Sequence, residues 1–371
     1  MKLAIVYDRV VKFGGAERIL MALHEIWPNA PLYTAVYRPE KAPWARRFHI
    51  RSSFLDHIPY AENIIEVLPF FTPYAFENFN FDEYDIVISI TSQDAKSIIT
   101  KPQTFHVCYC LTPTRYLWSG LNEYYNQPAA GIFNPGVRLG MKLFVNKLRR
   151  WDKISSKRPD SYLSISKTVK RRIAAYYNRE SKVIYPPVDT EVFNLPKVKT
   201  LNDYFLIVSR LVPYKRVDYA IEAFSQLPYR LKIIGSGIDE KRLKKNAGKN
   251  IEFIGSDLTD RKLGWYYQNC LALIFPGEED FGLTAVEAQA CGRPVIALGK
   301  SGTTETVING KTGLFYDEKS ADSLISAVRK FFKYSFNPEN CRQNSLRYSK
   351  KQFKQLMKSE IENIRQNLKS V

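Results

Sequence analysis

The sequence contains few of the residues that build metal sites or disulfide frameworks. Among its 371 residues there are five cysteines and four histidines. The cysteines show no paired metal-binding spacing and no dense disulfide pattern, and the histidines are scattered along the chain. We therefore predict buried thiols in a cytoplasmic protein and no histidine-rich metal site.

Long hydrophobic runs are also absent, since no apolar segment approaches the length of a membrane span. Residues 1–8 have a strand pattern that ends in a polar residue, and no small-residue cleavage site follows them. This beginning predicts a strand of the folded protein rather than a signal peptide.

Positive charge is what the sequence has in excess, with a formal net charge of +18. Apolar residues make up 45% and charged residues 25%, which is typical of a globular chain, and the length suits two domains. A charge of this size governs partners rather than fold, so it indicates an anionic partner. Nucleic acid, a phospholipid surface and a phosphorylated substrate all fit at this point.

Short apolar runs alternate with amphipathic segments along almost the whole chain. The runs predict strands at residues 3–7, 86–90, 105–110, 162–165, 204–208, 231–234, 251–254, 271–275 and 294–297. The amphipathic segments predict helices at residues 16–27, 217–225, 262–269, 283–290, 320–332 and 348–368. Such alternation favours parallel sheets covered on both faces, so the predicted fold class is α/β, with two doubly wound domains in tandem. Ligands of these sheets bind at the carboxyl ends of the strands, where two such edges could face each other across a cleft.

The alternation is interrupted at residues 184–189, where Pro186 and Pro187 can continue neither a helix nor a central strand. We predict the interdomain hinge there, with one domain at residues 1–186 and the other at residues 187–347. The helix at about residues 348–371 fits either domain by its pattern alone.

The segment with the most chemical information is residues 276–297, directly after a predicted strand. Gly282 leads into a helix that begins near Leu283. The backbone N–H groups of Leu283 and Thr284 lack intrahelical partners at such a position and are available to a phosphate.

Two acids flank this helix start. Glu287 lies in the first helical turns, where a carboxylate can accept hydrogen bonds from two vicinal ribose hydroxyls, and Glu279 precedes the helix, where it suits sugar hydroxyls. Taken alone, both acids also fit an ordinary surface position that complements the helix dipole. The complete string favours the functional interpretation, because a glutamate–seven residues–glutamate spacing surrounds Phe281-Gly282 and is closed by Glu-Ala-Gln-Ala-Cys-Gly-Arg-Pro-Val-Ile-Ala.

This string closely resembles the signature of family 4 retaining glycosyltransferases of the GT-B fold, and other segments match the family in the same order as far as about residue 313. The resemblance implies two Rossmann-like domains facing across a cleft, with the C-terminal helix crossing back onto the first domain. It also implies that residues 281–284 and Glu287 bind a nucleotide-sugar donor and that Glu279 acts at the transferred sugar.

A basic turn in the second half supports the same resemblance. The segment Val-Ser-Arg-Leu-Val-Pro-Tyr-Lys-Arg-Val-Asp at residues 208–218 resembles the family's strand-to-helix turn. Arg210 and Lys215 match the residues that hold the donor diphosphate, and a guanidinium fork beside a compact ammonium suits the neutralisation of a leaving group.

Three further positions in the second half resemble the family's base-binding loops. Gly235 and Gly237 follow one predicted strand, and Ile254 ends the next. Small residues at strand ends let the backbone approach a ligand closely, so these three are candidate contacts to the nucleotide base. Glycine after a strand is common in α/β proteins, which makes each of these signals weak when taken alone.

The first half carries two matching blocks. Gly14 and Gly15 resemble the family's glycine loop near the transferred sugar, and a purely conformational turn is the alternative. The block Tyr-Cys-Leu-Thr-Pro-Thr-Arg-Tyr-Leu-Trp at residues 109–118 resembles a branch that includes O-antigen mannosyltransferases. The acceptor-side residues implied there are Arg115, Tyr116 and Trp118, although aromatic packing explains the tyrosine and the tryptophan equally well. Leu111 stands where the branch often has histidine, which leaves the identity of the sugar open.

The resemblance implies transfer with retention of anomeric configuration. GDP-mannose is the first expectation for the donor, with UDP-hexoses or UDP-N-acetylhexosamines as alternatives, and the implied acceptor is a glycan or a lipid-linked glycan. No Asp-x-Asp motif is present. Lysine and arginine are therefore expected to replace a divalent ion, so neither a metal nor another cofactor is predicted.

A strongly basic amphipathic helix is predicted at residues 134–158, with Val137, Met141, Phe144, Leu148 and Trp151 at helical spacing. Such a helix fits peripheral contact with an anionic membrane, and it fits an ordinary domain helix with a solvated basic face equally well. Nucleic acid is not an expected partner, because no recognised binding motif is present and the aromatic residues at 68–81 are not interleaved with basic ones. A catalytically inactive scaffold on the same fold is the remaining alternative.

Overall fold

The computed structural model describes residues 1–59, 61, 71–121, 125, 134–198 and 203–369. The chain forms two compact units. The first unit comprises Met1–Tyr185 with Lys354–Val371, and the second comprises Pro186–Phe353.

The first unit is built on a seven-stranded parallel sheet in the order β3-β2-β1-β4-β5-β6-β7. Its strands are β1 Leu3–Tyr7, β2 Leu32–Thr34, β3 Ile50–Ser52, β4 Ile86–Thr91, β5 Phe105–Cys110, β6 Ser161–Ser164 and β7 Lys182–Val183. Its helices are α1 Gly15–Ile26, α2 Phe71–Glu77, α3 Asn134–Ser155 and α4 Lys167–Tyr177. Single 3₁₀ turns lie at Pro43–Arg47, Phe54–His57 and Ala95–Ser97.

The second unit contains a six-stranded parallel sheet in the order β10-β9-β8-β11-β12-β13. Its strands are β8 Tyr204–Val208, β9 Arg230–Ile234, β10 Ile251–Gly255, β11 Cys270–Phe275, β12 Val295–Leu298 and β13 Gly313–Tyr316. Its helices are α5 Val217–Ser225, α6 Glu240–Lys245, α7 Asp260–Asn269, α8 Leu283–Ala290, α9 Thr303–Thr306, α10 Ala321–Phe331 and α11 Pro338–Leu346, with a 3₁₀ turn at Pro213–Lys215. The last helix, α12 Lys350–Lys369, belongs to the first unit from Lys354 onward.

The central strands are buried on both faces, as the apolar runs predicted. All five residues of β1 and all six of β4 are buried. In the second unit, one continuous core joins the sheet to α5 and α10 through residues such as Phe205, Phe224 and Phe331. The prediction of two doubly wound, Rossmann-like domains is therefore confirmed.

The differences from the predicted elements lie in the shortest segments. Strands β2, β3, β7 and β13 have only two to four residues and were not predicted, because such runs are too short to show a period. They extend the sheets at or near their edges, where pairing to a longer neighbour supplies the stability that their sequences do not. Helices α2, α4, α6, α9 and α11 were also not predicted.

Candidate functional site

The centre of the second sheet is a topological switch point. The chain adds β9 and β10 on one side of β8, then returns to place β11, β12 and β13 on the other side. The loops after β8 and β11 therefore diverge from neighbouring strand ends, which is where open parallel sheets bind ligands. These two loops carry Arg210, Lys215, Glu279 and Gly282, so four of the residues predicted from sequence lie at this point.

The loop after β8 is held in a compact form. Residues 213–215 form a 3₁₀ turn that begins at Pro213, and Arg216 follows in the left-handed region with φ 55°. Lys215 is half-buried at the end of this turn, whereas Arg210 is exposed and donates a hydrogen bond to the hydroxyl of Tyr214. The loop therefore holds one cation against the protein and leaves the other reaching into solvent.

The loop after β11 lies directly against this turn. A Cβ placed on Gly277 would come within 2.8 Å of the carbonyl oxygen of Lys215, so glycine is required for the approach. Two residues later, the Glu279 carboxylate forms an ion pair with the Lys215 ammonium group. Their side chains are 22% and 12% exposed, so the pair is partly screened from water and still reachable by a ligand. The structure thus brings two of the predicted catalytic residues into contact.

Helix α8 begins at Leu283, four residues after Glu279, and its first backbone N–H groups are available to a ligand. Gly282 precedes it with φ 92°, a left-handed conformation that favours glycine. The first N–H with a helical acceptor is that of Ala285, which donates to the carbonyl of Gly282 at 3.1 Å. Within the described part of the chain, the N–H groups of Leu283 and Thr284 have no acceptor. An anion at this position would meet two unsatisfied donors and the positive end of an eight-residue helix.

Glu287 lies deeper than the sequence suggested. Its side chain is 4% exposed, and the Tyr267 hydroxyl donates to one carboxylate oxygen at 2.8 Å. Tyr267 is itself fully buried on α7. This contact holds the carboxylate in a fixed orientation, one helical turn beyond Thr284.

The glycines after β9 lie close to the backbone of the loop after β8. Gly235 has φ 144°, and a Cβ there would lie 1.8 Å from the carbonyl oxygen of Ser209. A Cβ on Gly237 would lie 2.2 Å from the carbonyl oxygen of Leu211. The close backbone approach is therefore to the loop after β8, and its physical effect is to support the Arg210–Lys215 turn.

Phe281 and Ile254, two other residues predicted to bind the nucleotide-sugar donor, are at least partly buried in the second unit. The Phe281 ring is 3% exposed and meets the Tyr348 ring edge-on, with 5.4 Å between the ring centroids. Ile254 is half-buried on the outermost strand of the sheet. Each lies near the carboxyl end of a strand, but the side chain of Phe281 points into protein.

In the first unit, the predicted glycine loop precedes α1. Gly14 is the N-cap residue in an extended conformation with φ −173°, and Gly15 is the first helical residue. Both are partly exposed at the carboxyl end of β1. The sequence did not single out Glu17, which is buried in the first turn and accepts a hydrogen bond from the Tyr7 hydroxyl at 2.7 Å.

The predicted acceptor-side residues follow β5, and Trp118 has a packing role there. Its indole N–H donates to Asp152 at 2.6 Å, and its ring stacks on Tyr176 with the ring centroids 5.0 Å apart. Arg115 and Tyr116 are partly exposed in the same loop. For Trp118, therefore, the structure favours the packing alternative.

A known sequence family matches the second unit. The family described as glycosyl transferases group 1 matches residues 189–348, a range that contains both loops of the switch point and helix α8. Over this range, which is less than half of the chain, the sequence is similar to the group 1 glycosyltransferases. This confirms the resemblance to family 4 glycosyltransferases found in the sequence.

Three curated relatives are similar to this chain over part of their length. An uncharacterized glycosyltransferase of Methanocaldococcus jannaschii is 29% identical over 55% of this chain and 59% of its own. A D-inositol 3-phosphate glycosyltransferase of Rhodococcus jostii is 31% identical over 33% of this chain and 31% of its own. An alpha-1,3/1,6-mannosyltransferase of Dictyostelium discoideum is 29% identical over 34% and 36%. In each of these comparisons, the chain spans less than two thirds of the relative.

Solved structures resemble the whole chain. The Anabaena protein HepE in complex with UDP matches with a TM-score of 0.72 and 15% identity over 98% of this chain and all of its own. A sucrose-phosphate synthase from Thermosynechococcus elongatus matches with a TM-score of 0.73 and 17% identity over 98% and 99%. At these identities, the similarity establishes the GT-B fold.

Two searches of the described residues complete the site description. None of the helices they form is both long and apolar enough to cross a membrane. Over the same residues, no group of three or more histidine, cysteine, aspartate and glutamate side chains is arranged to hold a metal ion.

Proposed function

We propose that this glycosyltransferase moves a hexose from a nucleotide-sugar to a glycan or lipid-linked acceptor, with retention of anomeric configuration and without a metal ion. The observation that carries the proposal is the arrangement at the switch point of the second sheet. There, two cationic side chains and two unpaired backbone N–H groups converge within the segment that matches the glycosyltransferase family.

The chemistry of transfer requires stabilisation of a departing nucleoside diphosphate. Arg210, Lys215 and the N-terminus of α8 provide positive charge that needs little reorganisation when the bond to the sugar breaks, and such electrostatic stabilisation is usually the largest catalytic contribution. In this structure, the Glu279 carboxylate forms an ion pair with the Lys215 ammonium group. When the diphosphate pairs with the lysine, the Glu279 carboxylate becomes available to the hydroxyls of the transferred sugar.

Retention is part of the proposal because it accounts for proton transfer without a further protein base. The sugar becomes oxocarbenium-like as the diphosphate leaves. A non-bridging oxygen of the departing phosphate then takes the proton of the acceptor hydroxyl on the same face of the ring. The glycosidic bond forms to that hydroxyl oxygen as the bond to the phosphate oxygen breaks.

The first candidate for the donor is GDP-mannose. This choice rests on the sequence block around residues 109–118, and the similarity to a relative named as a mannosyltransferase supports it. UDP-linked hexoses and N-acetylhexosamines are the alternative, and neighbours of the same fold crystallised with UDP and UDP-glucose favour them.

The test is a product analysis in buffer containing EDTA. The protein is incubated with GDP-mannose, UDP-glucose or UDP-N-acetylglucosamine and with alkyl glycosides of mannose, glucose and N-acetylglucosamine. Release of the nucleoside diphosphate is followed by chromatography, and the anomeric configuration of the product is determined by NMR. Lys215→Ala is the inactive comparison, and Lys333→Ala, at an exposed lysine after α10, is the matched control.

The proposal predicts one productive nucleotide class, an α-linked product and full activity in EDTA. A β-linked product from these α-linked donors would contradict retention, and activity that appears only with added Mg²⁺ or Mn²⁺ would contradict metal independence. If no donor were consumed by folded protein, the inactive scaffold and the nucleic-acid-binding alternatives would replace the proposal.

We also propose that the first unit rests on anionic lipid through α3. The C-terminal part of this helix packs on the domain, where Trp151 is half-buried and stacks on Tyr74 of α2. Closer to its N-terminus, Leu143 is 64% exposed beside Phe144 at 42%, and exposed basic side chains surround them. These basic residues are Lys142, Lys147 and Arg150. The side chains of Val137 and Met141, which the predicted apolar face includes, lie outside the described residues.

An exposed apolar side chain within a ring of lysine and arginine is complementary to a negatively charged bilayer surface. The measurement is flotation with vesicles of phosphatidylglycerol against vesicles of phosphatidylcholine. Binding to the anionic vesicles alone is expected, reduced by both Leu143→Ser and Lys147→Glu and unchanged in Lys333→Glu. Equal flotation of all four proteins would contradict this role for α3.

A further inference from the structure

The first sheet has its own switch point, between β1 and β4. The chain adds β2 and β3 on one side of β1, then returns to place β4, β5, β6 and β7 on the other side. The loops that diverge here are residues 8–14 after β1 and residues 92–97 after β4. By the same topological argument as in the second unit, a ligand of the first unit would bind between these loops.

One buried carboxylate fixes the loop after β4. Asp8, at the end of β1, accepts hydrogen bonds from the backbone N–H groups of four consecutive residues, 92 to 95, at 2.8–3.1 Å. It also accepts from the Thr91 hydroxyl at 2.8 Å. Because a single carboxylate satisfies this whole set of donors, the loop is held to the end of β1 and its side chains are preorganised.

Asp94 lies in this loop, and its carboxyl group does not make the hydrogen bond that its position favours. It occupies the N-cap of the 3₁₀ turn Ala95–Ser97, where an aspartate side chain ordinarily accepts from the turn's own N–H groups. It makes no such capping bond, and the N–H of Ala95, the first residue of the turn, donates to Asp8 instead. The Asp94 carboxyl group receives no hydrogen bond or ion pair from the described part of the chain, and its side chain is partly exposed.

Lys96 does not form an ion pair with Asp94, because its ammonium group pairs with Asp152. Lys96 is 2% exposed and forms an ion pair with Asp152 at 2.7 Å, and its ammonium group also donates to the hydroxyl of Thr114. Among the surrounding charges, Arg9 and Lys96 lower the pKa of Asp94 and Asp8 and Asp152 raise it. Burial is the largest effect, and together these influences raise the pKa of Asp94 to about 7.

The loop after β5 faces the same group. Leu111 donates its N–H to the carbonyl of Thr91 at 2.8 Å, so the loops that follow β4 and β5 run side by side. Tyr116, one of the predicted acceptor-side residues, is close enough to Asp94 for the carboxylate charge to raise its pKa, after the larger effect of its own burial. Asp94 therefore lies among the residues that the sequence assigned to substrate in this unit.

We propose that Asp94 is the substrate-binding carboxylate of the first unit, which in its ionised form accepts a hydrogen bond from a hydroxyl group of the sugar substrate. The inference rests on the proposed function. A carboxylate held rigidly, partly exposed and without a partner has lost solvation that a hydroxyl donor restores. The hydroxyl belongs either to the sugar of the donor or to the acceptor, and the two sources give different kinetics.

The experiment compares wild type, Asp94→Asn and the control Asp82→Asn, an exposed acid before β4. Transfer and acceptor-free hydrolysis of the active nucleotide-sugar are measured between pH 5.5 and 8.5, and binding of the free nucleoside diphosphate is measured in parallel. A hydrogen bond to a charged group contributes about 1.5–3 kcal/mol, so kcat/KM for transfer should fall about 10- to 100-fold at pH 8 in Asp94→Asn.

The pH profile identifies the role. In wild type, kcat/KM should rise with pH through an apparent pKa near 7 as Asp94 ionises, and this rise should be missing from Asp94→Asn and present in Asp82→Asn. Binding of the nucleoside diphosphate should be unchanged in all three proteins. A loss confined to the KM of the acceptor assigns the hydroxyl to the acceptor, and an equal loss in acceptor-free hydrolysis assigns it to the donor sugar.

An Asp94→Asn variant with the wild-type pH profile and kcat/KM would overturn the inference and leave the proposed function intact. A variant that is unstable at every pH and also loses nucleotide binding would assign Asp94 a structural role and overturn it equally. A wild-type protein that neither binds nor consumes any nucleotide-sugar would overturn the proposed function, and with it this inference.

Discussion

The two switch points of this chain have the same backbone topology, and they differ in how their charged groups are engaged. In the second unit, the diverging loops present Arg210, Lys215 and two unpaired N–H groups at the start of α8. In the first unit, the corresponding loops carry Arg9, Lys12 and Lys96 beside two carboxylates. Asp8 is engaged by backbone N–H groups, and Asp94 receives no hydrogen bond from the described part of the chain. One edge is suited to an anion and the other to hydroxyl groups.

This difference shows that the sheet provides positions and the loops provide function. A parallel sheet that reverses its strand order leaves a gap between two strand ends, whichever residues follow. The second unit fills its loops with cations suited to a diphosphate. The first unit places a carboxylate where, under our proposal, a hydroxyl group of a sugar donates a hydrogen bond to it.

Removing the Lys215 ammonium group at the switch point of the second sheet should have the largest effect on turnover. Lys215→Ala removes the ammonium group that faces the leaving diphosphate, and loss of one such electrostatic group typically slows turnover by about 10²–10³-fold. The fall is expected mainly in kcat, measured as initial rates with saturating donor. Lys333→Ala should retain the wild-type rate, and an unchanged kcat in Lys215→Ala would remove this lysine from the site.

The next largest effect is expected at Gly235, whose backbone closely approaches the loop that carries Lys215. Gly235→Ala combines φ 144° with a Cβ that would collide with the Ser209 carbonyl oxygen, so about 3 kcal/mol of stability should be lost. Gly255→Ala is the matched control, because Gly255 has φ 89° with nothing within 4 Å of the added Cβ. It should lose only about 1–2 kcal/mol. Denaturant unfolding compares the two, and equal losses would contradict the steric argument.

Substitutions of Glu287 and Tyr267, which contact each other, distinguish a role of Glu287 in nucleotide binding from a role in stability. Glu287→Gln removes the charge that we assign to ribose hydroxyls, and the Kd of the nucleotide should rise about tenfold, which corresponds to about 1.4 kcal/mol. Tyr267→Phe removes only the hydroxyl that donates to Glu287, and about 1 kcal/mol of stability should be lost with a smaller change in Kd. Titration calorimetry measures the Kd of the nucleotide for both variants, and denaturant unfolding measures the loss of stability. A Kd that responds more to the tyrosine than to the glutamate would contradict the assignment.

The smallest expected effect is a difference in how the stability contributed by Asp94 and by His106, two groups of the first unit, depends on pH. The pKa of Asp94 is raised to about 7, so the stability it contributes is complete at low pH and is lost as pH rises toward 7. Burial lowers the pKa of His106 to about 3, so its contribution is complete above its unfolded pKa and is lost as pH falls. Asp94→Asn should therefore raise the melting temperature at pH 8 by about 2–4 °C and by less at pH 5. A gain that is equal at both pH values would contradict the raised pKa.

The sequence predicted the second unit better than the first, and the reason is physical. Strands β8 and β11 and helix α8 are long enough to show their period, and the string from Glu279 to Glu287 is distinctive as a whole. Strands β2 and β3 have three residues each and depend on pairing with β1 for their existence. Asp94 gave no sequence signal, because the loop that positions it is held by Asp8, 86 residues away in the sequence.

Some predicted site residues have contacts within the protein that the sequence did not indicate. Gly235 and Gly237 were assigned to a ligand from their position after a strand, and the structure shows that their close contacts are with the backbone of the neighbouring loop. Trp118 was assigned to the acceptor or to packing, and its contacts with Asp152 and Tyr176 account for it by packing. A single sequence cannot distinguish a glycine near a ligand from a glycine near another loop.

The most direct test of the central claim is a metal-free thermal-shift titration with GDP, UDP and ADP and their common sugar conjugates. A ligand that binds only the folded state raises the melting temperature in proportion to the logarithm of its concentration above Kd. The account predicts a concentration-dependent rise with one nucleotide class in the presence of EDTA, diminished in Glu287→Gln and Lys215→Ala. No rise with any nucleotide at saturating concentration on folded wild-type protein would contradict the claim that the switch point of the second sheet is a donor site.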